Sequence, residues 1–166
     1  MKLVIIGGDA AGMSAASQAR RMDKSAEVIV LEKTQDVSYG ACGLPYKIPE
    51  GKKMEDLQII SAQRFREERG LDLRLGHEVT ELLPAEKKVR GEGPEGPFEV
   101  GYDKLVIATG ARVAAPPIPG LKELWGQGAY PLKTLEDGRA LKGALEAKKP
   151  AHAVVIGAGY IGLEAT

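Results

Sequence analysis

The chain contains no asparagine, a single cysteine, one tryptophan and only 5% aromatic residues. One cysteine excludes an internal disulfide framework and suits a reducing cytoplasm. Neither sign of charge is in excess, since 23 basic residues face 23 acidic ones. That balance removes the electrostatic footprint of a nucleic-acid or anionic-membrane binder. No apolar run approaches the ~18 residues of a membrane span. The leading run, residues 3–6, is too short for a signal peptide and is followed by glycines rather than a cleavage site. The expectation is a cytoplasmic protein with no nucleic-acid or membrane partner. Histidine is scarce as well. His77 and His152 lie far apart, and neither has a cysteine or carboxylate at metal-ligand spacing, so no metal site is expected. The missing asparagine, with abundant Glu, Lys, Arg and Pro, leans toward a heat-stable composition.

Glycine and short apolar strands are what the chain does have. Lys2–Ile6 is a β-branched run, and Gly7-Gly8-Asp9-Ala10-Ala11-Gly12 is a glycine turn directly after it. Residues 13–22, rich in Ala, Gln and Arg, predict a helix. Residues 27–31 predict a second apolar strand, which ends in the acid Glu32. Strand, glycine turn, helix, strand and terminal acid within about thirty residues make the dinucleotide-binding βαβ fingerprint. Gly7 would make the tight turn and Gly12 would let the helix lie close on the strand. The helix N-terminus would offer N–H groups and a positive dipole end to a pyrophosphate, and Glu32 would accept from a ribose hydroxyl. Asp9 stands at the middle glycine position. Its carboxylate is expected to turn away from the phosphates, because like charges in a partly dry site repel strongly.

The cysteine lies in Ser38-Tyr39-Gly40-Ala41-Cys42-Gly43-Leu44-Pro45-Tyr46. A lone cysteine is most simply a small buried hydrophobe. Here it sits in a glycine-containing loop, is stiffened by the fixed φ of Pro45, and follows directly on the nucleotide fingerprint. Those features favour a redox thiol beside a cofactor. Further along, residues 55–69 have helical spacing and residues 71–75 alternate like a strand. Residues 77–83, 87–90 and 98–102 predict a small antiparallel meander. Residues 102–110 predict a buried strand running into Ala108-Thr109-Gly110, small residues where a chain passes tightly by a ligand. Residues 114–120, with Pro116, Pro117 and Pro119, read as an extended connector. Thr134 is placed to cap a helix over 135–147, with Asp137 as capping-box partner.

Residues 153–156 predict a strand before a full glycine motif, Gly157-Ala158-Gly159-Tyr160-Ile161-Gly162, which repeats the first fingerprint about 150 residues later. The implied fold class is α/β. A Rossmann-like domain with a parallel sheet, helices and a small meander covers 1–113, a connector and helix cover 114–150, and a second βαβ unit begins at 151–166. The second strand and its acid are not within these residues. We therefore expect the N-terminal portion of a longer enzyme, one that would not turn over NADH as a 166-residue fragment.

These pieces, in this order, resemble the pyridine nucleotide-disulfide oxidoreductase family. They are most similar to its single-cysteine branch of coenzyme A disulfide reductases, NADH oxidases and NADH peroxidases. The resemblance rests on Gly7–Gly12 with Glu32, on Ser38-x-x-x-Cys42-Gly-Leu-Pro-Tyr46, on residues 102–110 and on Gly157–Gly162. It implies that Gly7, Ala10, Ala11, Gly12, Glu32, Lys33, Cys42, Val79, Thr109 and Gly110 bind FAD, and that Gly157, Gly159 and Gly162 bind NAD(P)H. It also implies that Ser14, Gln18, Arg21, Ser38 and Arg69 lie near a coenzyme A substrate. Ala41 stands where this branch often carries Asn. Two-cysteine relatives use an internal disulfide, but position 38 is serine here. The implied catalytic residue is Cys42 alone, which would form a mixed disulfide with coenzyme A. The alternatives are an oxidase or peroxidase cycling Cys42 through sulfenic acid, and a flavin-binding module without turnover. A homodimer is implied for the full-length enzyme.

Overall fold

The computed structural model describes residues 1–49 and 51–166. In chain order the regular elements are β1 (Lys2–Ile6), α1 (Ala10–Met22), β2 (Glu27–Glu32), α2 (Ala62–Glu67), β3 (Asp72–Leu75), β4 (Glu78–Leu83), β5 (Lys88–Gly93), β6 (Gly96–Gly101), β7 (Lys104–Ile107), α3 (Leu135–Lys148) and α4 (Tyr160–Glu164). Two compact units result. One joins Met1–Tyr39 to Gln58–Gly110, and the other joins Gly40–Leu57 to Ala111–Thr166.

In the first unit all seven strands form two sheets. A parallel sheet has the order β3-β2-β1-β7, and an antiparallel one has the order β4-β5-β6. Register follows the alternation of apolar side chains. Leu3, Ile5, Val28 and Val30 face one way and pack with Met13 and Ala16 of α1 and Phe65 of α2. Val4, Ile6, Ile29 and Leu31 face the other way and pack with Val89 of β5 and Val100 of β6. Both faces of β1 and β2 are thus covered, which is why these strands read as unbroken apolar runs. The expected α/β class is present, with the meander against one face of the parallel sheet and helices against the other.

Three expected elements differ. The helix expected over 55–69 is divided into a 3₁₀ turn at Met54–Leu57 and α2. Between them the chain is extended, because Gln58 bridges Tyr39 and the Ile59 N–H donates to the Ser38 carbonyl. Cross-chain backbone bonds win there over a modest helical preference. β7 was expected to be buried, yet Ile107 is 60% exposed, because β7 is the edge strand and pairs only with β1. Residues 153–156 are not a strand and Val154 is 88% exposed. Among the described residues no neighbouring chain takes up their N–H and C=O groups, and an apolar run without a partner does not make a sheet.

The second unit carries the connector, α3 and α4. Thr134 and Asp137 close a full capping box on α3: the Thr134 side chain accepts the Asp137 N–H, and the Asp137 carboxylate accepts the Thr134 N–H.

Gly12 makes the tightest approach in the first unit. A Cβ built on it would collide with the Gly7 carbonyl oxygen, which belongs to backbone and has no rotamer in which to escape. Glycine to alanine inside a helix ordinarily stabilises by roughly 0.5–1 kcal/mol, whereas forcing atoms into a filled site costs about 1–3 kcal/mol. The clash is expected to win. Gly12→Ala should lower stability by about 1–2 kcal/mol in denaturant unfolding, and a neutral or stabilised variant would mean that α1 does not press on the turn.

Candidate functional site

The glycine turn is built at the carboxyl ends of β1, β2 and β7. Gly7 adopts φ +108° and donates its N–H to the Leu31 carbonyl at 2.8 Å. Its open face lies against the Ala108 carbonyl, so Thr109 and Gly110 leave β7 directly beside the turn. α1 begins at Ala10 with Asp9 as its N-cap residue, has no acid in its first turn, and receives no side-chain cap. The Asp9 carboxylate instead accepts the Tyr39 N–H at 3.2 Å. Glu32 reaches back across the turn. One carboxylate oxygen accepts the Gly8 N–H at 2.6 Å, and the other accepts the Thr34 N–H and hydroxyl at 2.8 Å each. A carboxylate has about four acceptor positions, so one remains for an outside hydroxyl. β4 starts beside Glu32, whose carbonyl accepts the His77 N–H at 2.9 Å, and this brings Val79 to the same end of the sheet. Lys33 is exposed and 4.0 Å from Glu78. A turn opened by Gly7 and Gly8, an uncapped helix start and a spare carboxylate lone pair fit a dinucleotide.

Between α1 and residues 59–70 lies a cavity of about 890 Å³. Ser14, Arg21, Ser38 and Arg69, all expected near a substrate, line it together. Gln18 does not; its amide oxygen accepts from Arg21 instead. Sequence reasoning missed Ser17, Arg20, Lys24 and Phe65 on the same wall. The signal was available for two of them. Positions 10, 13, 14, 17, 20 and 21 follow one face of a 3.6-residue helix, whereas 18 falls outside it. Lys24 lies beyond the end of α1. Phe65 comes from α2, and no pattern in α1 could have revealed it. Arg69 donates to the Ser17 hydroxyl at 2.6 Å, and its guanidinium sits 4.9 Å above the Phe65 ring. Arg20 closes the end of α1 by donating to the carbonyls of Lys24 and Ala26 at 2.8 and 2.6 Å. The one acid on the wall, Glu68, is tied to Arg64 at 2.8 Å. The cavity is therefore cationic, with hydroxyls between the cations.

In the second unit Cys42 is an exposed, free thiol within the 3₁₀ turn Ala41–Gly43. The next turn, Pro45–Lys47, extends a segment that is tied down by polar contacts and apolar packing. Leu44 and Met54 are buried, and both press on Gly138 of α3. Lys142 directs its ammonium at the carbonyls of Lys47, Ile48 and Pro49 at 2.7–3.3 Å. Tyr46 donates its hydroxyl to Glu164 of α4 at 2.7 Å, and that bond holds the phenol above its ordinary pKa. The second glycine turn has the local geometry of the first. Gly157 adopts φ +116°, Gly159 caps α4, and Gly162 presses on the Gly157 carbonyl as Gly12 presses on Gly7. Among the described residues no group of His, Cys, Asp and Glu could hold a metal ion, and no helix is long and apolar enough to cross a membrane.

The family model described as pyridine nucleotide-disulphide oxidoreductase matches residues 1–166. The chain belongs to that family. The family uses FAD and NAD(P)H, which agrees with the dinucleotide-shaped turn. Among its members, this chain is 36% identical to an NADH oxidase of Methanocaldococcus jannaschii, over 99% of its own length and 36% of the relative's. It is 37% identical to an NAD(P)H coenzyme A polysulfide/persulfide reductase of Pyrococcus horikoshii, over 98% of its own length and 36% of the relative's. The crystal structure of reduced CoADR-RHD from Bacillus anthracis superposes with a TM-score of 0.93 at 32% identity, over 99% of this chain and 30% of that one. The chain thus spans about a third of the length of the oxidoreductases that it matches.

Proposed function

We propose that this chain contributes the first part of an FAD-dependent NAD(P)H:disulfide oxidoreductase whose substrate is coenzyme A disulfide or a related persulfide, with Cys42 as its single redox thiol. The observation that carries the reading is the cationic cavity. A coenzyme A half is a polyphosphate with a long uncharged arm, and Arg21 and Arg69 provide planar forks for phosphate oxygens. Ser14 and Ser38 add hydroxyls, while Gln18 orients Arg21. Ser38 lies four residues before Cys42 along the chain.

In this reading the Cys42 thiolate attacks one sulfur of the substrate disulfide. A Cys42–S–S–R bond forms, and the other half departs as RS⁻. With serine at position 38 no second protein thiol resolves that bond. FAD, when bound, supplies the two electrons, originating from NAD(P)H, that reduce the mixed disulfide to the Cys42 thiolate and a second RS⁻. The chain's own part is to hold the cofactor. Gly7, Ala10, Ala11 and Gly12 form its backbone cradle, Glu32 accepts a ribose hydroxyl, and Lys33, Val79, Thr109 and Gly110 flank it. Gly157, Gly159 and Gly162 contribute to the NAD(P)H turn. The proposal places FAD binding in residues 1–113, a connector in 114–150 and the start of the nicotinamide unit in 151–166, within a longer, homodimeric, cytoplasmic enzyme.

Mass spectrometry of Cys42 in the purified protein tests this directly. A coenzyme A adduct supports the disulfide reductase. A sulfenic or sulfinic acid supports the oxidase reading, which the relative from M. jannaschii favours. A flavin spectrum with no NADH-dependent bleaching supports a module without turnover. Arg69→Ala should raise KM for coenzyme A disulfide about tenfold, as the loss of one charge-assisted bond would, with kcat nearly unchanged. An unaltered KM would remove Arg69 from substrate recognition.

A further inference from the structure

The peptide between Ser38 and Tyr39 is held at both ends. Its carbonyl oxygen accepts the Ile59 N–H at 2.7 Å, and its N–H donates to Asp9 Oδ1 at 3.2 Å. One residue earlier the Ser38 N–H donates to the Gly8 carbonyl at 3.1 Å. Between these anchors Ser38 has φ +50°, a left-handed conformation that serine seldom adopts. Aspartate is among the best N-cap residues, yet Asp9, in the N-cap position of α1, makes no cap bond. Two local preferences are thus overridden at one peptide. If that peptide turned over, its carbonyl oxygen would face the Asp9 carboxylate and its N–H would lose its acceptor. The carboxylate therefore selects one orientation of that peptide, and with it the ψ of Ser38, a residue on the cavity wall.

We propose that Asp9 is a positioning residue for the disulfide reaction: it locks the Ser38–Tyr39 peptide, so that Ser38 meets the substrate and the chain is held three residues before Cys42. This gives the departure from the glycine pattern at position 9 a purpose outside cofactor binding. The proposal rests on the disulfide-reductase reading above, and its test separates the two.

The test compares Asp9→Gly and Asp9→Asn with the wild type in the flavin-loaded protein. It reads flavin content, kcat/KM for coenzyme A disulfide, the rate of Cys42 alkylation by iodoacetamide, and hydrogen exchange at the Tyr39 amide. Asp9→Gly restores the usual turn residue and is expected to bind flavin at least as well as the wild type. It should lose about tenfold or more in kcat/KM, as small misplacements near a reacting group do. Its Tyr39 amide should exchange faster and its Cys42 should alkylate at an altered rate. Asp9→Asn keeps an oxygen for the Tyr39 N–H and should return all four measures to within about twofold of wild type. Wild-type kinetics and exchange in Asp9→Gly would overturn the proposal. So would an Asp9→Asn variant as impaired as Asp9→Gly, which would assign the effect to charge. Loss of flavin or of the fold from Asp9→Gly would overturn it too, by placing Asp9 in the cofactor turn. A wild type that does not reduce coenzyme A disulfide refutes the reductase reading, while exchange and alkylation still decide the role of Asp9.

Discussion

Cys42→Ser is expected to abolish NAD(P)H-dependent disulfide reduction, with a loss on the order of 10³-fold or more, while flavin content and unfolding midpoint stay near wild type. A serine hydroxyl is un-ionised at neutral pH and cannot form a disulfide, so the covalent step has no substitute. The structural cost is small because Cys42 is exposed and lies in a short 3₁₀ turn rather than in a packed core. Steady-state NAD(P)H consumption with coenzyme A disulfide by the full-length enzyme measures the loss. Thiol titration of residues 1–166 supplies the control: their one cysteine should take up one equivalent of reagent, and the variant none. Turnover within tenfold of wild type would show that the electrons reach substrate without this thiol.

Glu32→Ala should weaken flavin binding by tenfold or more, and it should also destabilise the protein without flavin. The two effects have separate origins. Hydrogen bonds to a charged group contribute about 1.5–3 kcal/mol, and the Glu32 carboxylate accepts from Gly8 N–H and from the Thr34 N–H and hydroxyl. Truncation leaves the Gly8 and Thr34 amides without their acceptor, for a loss of about 2–3 kcal/mol in unfolding free energy. The further loss of a ribose contact accounts for the tenfold, about 1.4 kcal/mol. Denaturant unfolding of the apoprotein and flavin retention on dialysis separate the terms. A variant that retains flavin as well as wild type would remove Glu32 from the cofactor site, while leaving its part in holding the turn to be read from the unfolding midpoint.

Much of the first βαβ unit was legible because its signals are local. Alternation in β1 and β2, the glycines between them and the acid at the end of β2 each act over a few residues, and the structure follows them closely. The same holds for the meander and for the capping box of α3. Ser14, Arg21, Ser38 and Arg69 were recognisable through their resemblance to a family pattern, and the fold brings them to one cavity. Gln18 lies one step around α1 from that wall and reaches it through its bond to Arg21.

Other features depended on partners distant in sequence. The division of the helix expected over 55–69 depends on backbone bonds to residues 38–40, which no propensity in that segment encodes. The disposition of Asp9 was expected only as an avoidance of phosphate, whereas its partner is an amide thirty residues away. The cysteine segment follows the nucleotide unit in sequence, yet its apolar residues Leu44 and Met54 lie against Gly138 of α3. Residues 153–156 are as apolar as β1 and are not a strand, because a strand needs a neighbour. Short-range patterning was therefore enough for most elements of the first unit, the glycine turns and the cofactor class, since each depends on residues within a turn or two of one another. Which segments pack together, which strand lies at the edge and which donor meets each carboxylate were decided by three-dimensional packing. Burial and hydrogen-bond satisfaction are properties of the assembled unit, not of any stretch of chain within it.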